Sequence, residues 1–210
     1  MSEAPPCQLY LISPPDVSGS FPDQLRNALA AGPVAAFQFR VKDVALEEAV
    51  ALAQPLQAIC DEHDVAFVVN DDVELAQKLD ADGVHLGQSD MALADARKLL
   101  GDQVQIGITC HDSRHLAMEA GEAGANYVAF GAFFPTQTKE TTHKPDVDIL
   151  EWWSRVMEIP CVAIGGITPD NCGPLIKAGA DFLAVSGAVW SDPQGPASAV
   201  ARFSEILDQQ

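Results

Sequence analysis

Basic residues are scarce in this chain of 210 residues. Twelve lysines and arginines stand against 30 aspartates and glutamates, which gives a formal net charge of -18. Because nucleic acids and anionic membranes attract basic surfaces, this balance argues against either as a partner. The few cations that follow apolar segments therefore stand out as candidates for binding a small anion.

The chain also lacks the patterns typical of zinc, secreted and membrane proteins. Its five cysteines form no CxxC pair and no Cys/His spacing typical of zinc. No apolar run approaches the length of a membrane span, and the first residues form neither a basic nor an apolar leader. These absences predict a cytoplasmic protein in a reducing compartment.

What the chain does contain is a regular alternation of two patterns. Eight short apolar runs alternate with Ala/Leu/Glu-rich stretches of helical period, and no linker interrupts them. This predicts one α/β domain over 1–210, a single (β/α)8 TIM barrel with a flexible N-terminus over 1–7. Strands are expected near 8–12, 34–39, 65–69, 83–86, 104–108, 126–130, 160–164 and 181–186. Helices are expected near 21–31, 46–62, 72–80, 91–100, 113–123, 146–157, 169–178 and 196–208.

Several boundaries carry local signals. Thr168 before a proline predicts a helix that begins there, and Asp112 or Ser113 can cap the helix after the fifth strand. The tripeptide Ala-Gly-Ala occurs immediately before Asn126 and again before Asp181, at two predicted helix-to-strand turns. These turns lie on the face of a barrel that serves stability, so they are interpreted as structural.

Polar groups close several predicted strands. The strand at 126–130 runs into Thr136, Thr138 and Lys139, two hydroxyls and an ammonium. Barrel enzymes hold their catalytic groups at the carboxyl ends of their strands. The sequence therefore predicts an anion-binding site here, within the longest polar connection, 135–145, a candidate lid.

Gln38, Arg40 and Lys42 alternate at the end of the second predicted strand. The period of two predicts that all three side chains point the same way. An inward Arg and Lys pair would be costly to leave unmatched, and a diphosphate is the obvious counter-charge. The alternative is a strand that ends at Phe39 and leaves both charges solvated. Asn70 adds a neutral donor to the same region.

Asp71 and Asp90 close the third and fourth strands, which are neighbours in a barrel. Their carboxylates could converge on one hard cation, and two carboxylates with phosphate oxygens and water suit octahedral Mg²⁺. Each is an equally good candidate for a helix N-cap, because each precedes a helical stretch.

Glycine-containing loops follow the last two strands, at 164–168 and 185–188. Loops at these positions are the usual phosphate seat of this architecture, which makes Gly166, Ser186 and Gly187 candidates for binding a second phosphate. His85, at the end of the fourth strand, is either a general base or a packed, hydrogen-bonded residue, and packing is the favoured interpretation.

In order along nearly the whole chain, these segments resemble the thiamine phosphate synthase family. The long segments 81–90 and 130–139 are the most specific, and shorter ones include 38–42, 69–71 and 164–171. The family joins a hydroxymethylpyrimidine diphosphate to a thiazole phosphate, with Mg²⁺ assistance, and releases diphosphate. The resemblance thus implies a transferase with two small-molecule substrates.

Matching positions imply a role for each candidate residue. Mg²⁺ would be held by Asp71 and Asp90, and diphosphate by Arg40, Lys42, Asn70 and Lys139. The pyrimidine would face Gln38 and Thr109, and the thiazole phosphate would be seated by Thr136, Thr138, Gly166, Ser186 and Gly187. Of these, Arg40, Lys42, Lys139 and Thr109 are the implied catalytic residues. The chain departs from the family at Asp72, where Arg is usual, and at Thr109, where Ser is usual.

Two other functions compete with the synthase. A thiazole tautomerase of the same family would need a proton-shuttling histidine, such as His111, and no diphosphate site. A non-catalytic thiazole-phosphate-binding paralogue is made conceivable by Asp72. The intact Asp90 and Lys139 favour the synthase. The sequence leaves the oligomeric state open, although one of the tryptophans at 152–153 is a candidate subunit contact in a homo-oligomer.

Overall fold

A computed structural model describes residues 6–136 and 142–209, and its eight parallel strands close into a barrel. Each strand pairs with the next in sequence, and β8 pairs back to β1. The strands are β1 Gln8–Ile12, β2 Ala36–Phe39, β3 Ala66–Asn70, β4 Gly83–Leu86, β5 Gln105–His111, β6 Tyr127–Gly131, β7 Cys161–Ile164 and β8 Phe182–Val185. The predicted (β/α)8 barrel is confirmed.

Helices follow the strands and form the outer layer. They are α1 Phe21–Leu29, α2 Leu46–Glu62, α3 Val73–Leu79, α4 Leu93–Leu100, α5 Arg114–Glu122, α6 Asp148–Val156, α7 Gly173–Lys177, α8 Gly187–Trp190 and α9 Pro196–Leu207. None of the described helices is long and apolar enough to cross a membrane.

Alternate residues of most strands contribute to two separate hydrophobic clusters. Leu9 and Leu11 belong to the large core between the strands and the helices, whereas Tyr10 and Ile12 lie in a smaller cluster inside the barrel. This follows from the period of two along a strand. Other interior positions carry small side chains such as Ala129. Their small size leaves room for larger polar groups near the carboxyl ends of the strands.

Three Asp or Asn side chains make the same type of contact at the amino ends of the strands, on the face of the barrel opposite the predicted site. Asp82, Asn126 and Asp181 each stand immediately before an even-numbered strand. Their side-chain oxygens accept from backbone N–H groups of β3, β5 and β7 respectively, at 2.7, 2.8 and 2.7 Å. Each contact satisfies a backbone donor near the start of an odd-numbered strand. The structural interpretation of the two recurring Ala-Gly-Ala turns agrees with this arrangement.

Replacing Asp181 with Ala should therefore destabilise the fold. Its carboxylate accepts from the backbone N–H of Cys161, a fully buried residue. Removal of the acceptor leaves that N–H without a hydrogen bond. We expect a loss of about 1–3 kcal/mol in the free energy of unfolding, measured by urea denaturation. Asp181→Asn, which keeps an oxygen at the same position, should recover most of the loss. Equal stability of the Ala variant and the parent would contradict this role.

One local prediction is wrong and one short helix was missed, for identifiable reasons. The helix expected from Thr168 begins instead at Gly173, because Asn171 Oδ1 accepts from the Thr168 N–H and closes a separate turn at 2.8 Å. Helix α8 was not predicted, because four residues are too few for a periodic pattern. The predicted cap at Ser113 is confirmed, since its side chain accepts from the N–H of Leu116.

The two adjacent tryptophans have different environments. Trp153 is fully buried and donates from Nε1 to the carbonyl of Ile159 at 2.7 Å. Trp152 is partly buried, with the Arg114 guanidinium 4.8 Å from its ring centroid. Trp153 thus packs against the barrel, edge-on to Phe130 of β6.

All five cysteines are buried. Burial raises the pKa of the Cys7, Cys110 and Cys161 thiols to about 12. It also raises the pKa of Cys60 and Cys172 above the ordinary thiol value. At neutral pH these groups are thiols rather than thiolates, so none of them is a candidate nucleophile.

Candidate active site at the carboxyl ends of the strands

Gln38 is almost fully buried inside the barrel and begins a chain of hydrogen bonds. Its Nε2 donates to the hydroxyl of Tyr10 at 2.9 Å, and this hydroxyl lies 3.0 Å from that of Tyr127. The Tyr127 hydroxyl is 3.1 Å from His85 Nδ1, and His85 Nε2 is 2.8 Å from Thr109 Oγ1. Both residues assigned to the pyrimidine, Gln38 and Thr109, are thus ends of one network.

His85 is therefore a packed, hydrogen-bonded residue, as the sequence favoured. Its ring stacks on Tyr127 with centroids 5.5 Å apart. The pKa of Tyr10 is raised by burial to about 12, and that of Tyr127 is raised by burial and by the neighbouring Tyr10. Both tyrosines are consequently neutral hydroxyls at physiological pH.

Strand β2 ends at Phe39, so the alternation that would have aligned Gln38, Arg40 and Lys42 on one strand does not extend to Lys42. Arg40 is half-buried and Lys42 is exposed. Neither forms an ion pair within the described parts of the chain. Two cations without acidic partners remain beside the barrel mouth.

Ser13, which the sequence did not single out, fixes the backbone of Arg40. Its Oγ accepts from the Arg40 N–H at 2.8 Å and donates to the Arg40 carbonyl at 3.2 Å. The carbonyl of Ser13 also accepts from Ser186 Oγ at 3.4 Å. This buried serine links the ends of β1, β2 and β8, a long-range role that no local sequence pattern could reveal.

Asp71 and Asp90 follow neighbouring strands, and neither is a helix N-cap. Asp71 adopts a left-handed conformation, φ 64°, just after β3, and its N–H donates to the carbonyl of His85 on β4. Asp90 Oδ2 accepts from the N–H of Gly87 at 2.7 Å. The cap of α3 is Asp72, whose side chain accepts from the Leu75 N–H.

These carboxylates fit a Mg²⁺ site by the chemistry of their donors. Both are hard oxygen ligands at adjacent strand ends, and Asp90 keeps a second oxygen beyond its contact with Gly87. Within 6–136 and 142–209, no group of three or more His, Cys, Asp or Glu side chains could hold a metal. Mg²⁺ held by Asp71 and Asp90 would therefore need substrate oxygens and water to complete its shell.

Gly165 and Gly166 have a packing role besides any role in binding. Both have positive φ, 105° and 61°, and a Cβ at either would overlap the connection that follows β6, at Ala132 and at the Pro135 carbonyl. The N–H groups of Phe133 and Phe134 donate to the carbonyls of Ile164 and Gly165. The glycines thus let the β6 connection lie across the end of β7.

Gly187 differs from this pair. A Cβ there would meet no described atom within 4 Å, and its φ is not in the left-handed region. Neither packing nor backbone conformation requires glycine at this position, and the space beside its backbone is open. Ser186 precedes it as the N-cap of α8 without a side-chain capping bond.

The β6 connection is described only in part. Thr136 is half-buried on its near side. Thr138 and Lys139, the other two residues predicted here, lie outside the described residues, as do 137–141 of the proposed lid. Beyond this gap, His143 stacks on His111 with centroids 4.3 Å apart, and its Nδ1 lies 2.9 Å from Asp112 Oδ1.

Comparisons with known proteins assign the chain to a family. The family model described as thiamine monophosphate synthase matches residues 9–189. The chain belongs to this family. It is 65% identical over 206 residues to the thiamine-phosphate synthase of Erythrobacter litoralis, covering 96% of each chain. It is 52% identical to that of Rhodospirillum centenum, covering 96% of this chain and 98% of the relative.

A solved structure of the family shares the fold. The thiamine phosphate pyrophosphorylase from Pyrococcus furiosus superposes with a TM-score of 0.86 at 31% identity, covering 96% of both chains. The family resemblance inferred from the sequence is confirmed. Membership in the thiamine monophosphate synthase family identifies the chain as an enzyme of the transferase class.

Proposed function

We propose that this chain condenses a 4-aminopyrimidinylmethyl diphosphate with a thiazole phosphate to give thiamine phosphate and diphosphate. The observation that carries the proposal is the barrel mouth itself. Asp71 and Asp90 follow neighbouring strands, Arg40 and Lys42 follow β2 with no acidic partner among the described residues, and a buried polar network lies inside the same barrel. High identity to synthases over nearly the whole chain supports the same reaction.

The reaction is a substitution at the methylene carbon of the pyrimidine. The C–O bond to diphosphate breaks, and its electron pair leaves with the diphosphate. The pyrimidine amino group delocalises the positive charge that develops on the methylene carbon. The thiazole nitrogen then supplies the electron pair of the new C–N bond. No protein nucleophile is needed, which agrees with the protonated state of the buried thiols.

The leaving diphosphate would be bound by Arg40, Lys42, Asn70 and Lys139. Asp71 and Asp90 would hold Mg²⁺, which supplies electrostatic stabilisation to the departing oxygens. Preorganised cations favour the transition state because they contact charge as it develops. Ser13 holds the backbone of Arg40, so its side chain starts from a fixed point beside the barrel mouth.

The two organic substrates would occupy different parts of the mouth. Gln38 and Thr109 would contact the pyrimidine from inside the barrel. Thr136 and Thr138, with the backbone of Gly166, Ser186 and Gly187, would seat the thiazole phosphate. The open space beside Gly187 supports a close approach of that phosphate to the backbone. Holding both reactants in line lowers the entropic part of the barrier.

The proposal is tested with purified protein, both substrates and Mg²⁺. Diphosphate release should require all three, and omission of either substrate or addition of a chelator should abolish it. The thiazole phosphate should also be incubated alone as its exocyclic tautomer. Isomerisation of that tautomer, without diphosphate release in the full mixture, would favour a tautomerase and overturn the synthase.

A further inference from the structure

The hydrogen-bond chain from Gln38 to Thr109 has a defined direction. The Gln38 amide donates to the Tyr10 oxygen, so Tyr10 directs its own proton to Tyr127 at 3.0 Å. Tyr127 therefore donates its own proton to His85 Nδ1, which lies 3.1 Å away. Because both tyrosines stay neutral, each supplies one donor, and the direction passes unchanged along the chain.

This direction determines the state of His85 and Thr109. With Nδ1 accepting, the neutral imidazole carries its proton on Nε2 and donates to Thr109 Oγ1 at 2.8 Å. The proton of the Thr109 hydroxyl is then turned away from His85. At the opposite end, Gln38 uses its amide nitrogen on Tyr10, which leaves Oε1 as an acceptor. The network thus presents one donor, at Thr109, and one acceptor, at Gln38.

Gly107 makes the central contact of this network sterically accessible. It lies on β5 between His85 on β4 and Tyr127 on β6, paired in register with both. A Cβ at position 107 would overlap the Tyr127 ring. The missing side chain lets Tyr127 reach across β5 and stack on the imidazole of His85.

We propose that Tyr10, Tyr127 and His85 are positioning residues that make the pocket select an aminopyrimidine over an oxopyrimidine. An amino group offers the hydrogen that Gln38 Oε1 accepts, and a ring nitrogen accepts the hydrogen of Thr109. An oxo group in place of the amino group would place its oxygen, an acceptor, against Gln38 Oε1, which is also an acceptor, so no hydrogen bond could form. The inference rests on the proposed function, because it assumes that the pyrimidine occupies this end of the mouth.

The selectivity is measured with two bisphosphonate ligands that cannot be cleaved and differ only in an amino or oxo group on the pyrimidine. Isothermal titration compares the parent with Tyr127→Phe, which keeps the ring but removes the hydroxyl. We expect the preference for the amino ligand to fall about tenfold in the variant. Tyr10→Phe interrupts the next link and should act in the same direction, so the test does not depend on one variant folding.

A matched control removes a buried hydroxyl elsewhere. Ser204 Oγ in α9 is buried without a hydrogen-bond partner among the described residues, so Ser204→Ala should leave the preference unchanged. An unchanged preference in folded Tyr127→Phe and Tyr10→Phe would overturn the positioning role alone. If the parent bound neither ligand, the proposed function would be overturned instead.

The direction of the chain is measured independently of any substrate. Nitrogen-15 NMR of histidine-labelled parent should show His85 protonated on Nε2 and not on Nδ1. In Tyr127→Phe, the Nδ1 acceptor loses its donor, and this tautomer preference should weaken. A parent protonated on Nδ1 would reverse the inferred direction and overturn the proposal even if the enzyme is active.

Discussion

Asp90→Asn should release diphosphate about a hundredfold to a thousandfold more slowly than the parent. The amide oxygen can still accept from the N–H of Gly87, so the turn after β4 should persist. What the substitution removes is one of two carboxylate charges proposed to hold Mg²⁺. The ion should then bind more weakly and stabilise the leaving diphosphate poorly, so added Mg²⁺ should recover only part of the rate.

The experiment is a Mg²⁺ titration of diphosphate release, with circular dichroism as a check on folding. Asp95→Asn is the matched control, because Asp95 is an exposed carboxylate on α4 that pairs with Lys98. It should titrate like the parent. If Asp90→Asn also matched the parent at limiting Mg²⁺, Asp90 would serve only the local turn, and the metal would have to be held elsewhere.

Arg40→Met should lower kcat by about a hundredfold, with a much smaller effect on KM for the thiazole phosphate. The substitution keeps an aliphatic stem but removes a half-buried guanidinium that has no acidic partner among the described residues. A cation on the leaving group matters most as negative charge develops, so its loss should appear mainly in kcat. Steady-state kinetics with the concentration of each substrate varied separates the two parameters.

Arg26→Met is the control for loss of a positive charge. Arg26 lies on α1, where its exposed side chain pairs with Asp23 and Glu62. Its replacement should leave kcat unchanged. If Arg40→Met instead raised KM for the thiazole phosphate and preserved kcat, Arg40 would bind the thiazole phosphate rather than the diphosphate.

The fold was predictable because its signals are local and repeated. Strands β1 and β4 match their predicted bounds, and helix α2 does as well. Errors arose where local chemistry had two solutions. Thr168 has the residue type of a cap, but Asn171 closes a different turn at its backbone. Strand β2 ends at Phe39, its predicted last residue, so Arg40 and Lys42 lie beyond the strand and its alternation does not align them with Gln38.

The positions of several candidate site residues at strand ends were predictable, but the hydrogen-bond network that links them was not. Strand-end position alone predicted Gln38, Arg40 and Asp71, because parallel strands bring their carboxyl ends to one face. The contacts of Ser13 and the two tyrosines depend on pairs far apart in sequence, which periodicity does not encode. Asp72 is a different case, because its contact is local: it caps α3 by accepting from the N–H of Leu75, where Asp71 had been the expected cap candidate.

The most direct test of the proposed activity is the stoichiometry of its products. Purified protein is mixed with the aminopyrimidine diphosphate, the thiazole phosphate and Mg²⁺, and both products are quantified over time by liquid chromatography and mass spectrometry. The account predicts thiamine phosphate and diphosphate in equal amounts from the earliest time points. Diphosphate released without the joined product, at the same rate with or without the thiazole phosphate, would indicate hydrolysis and contradict the account.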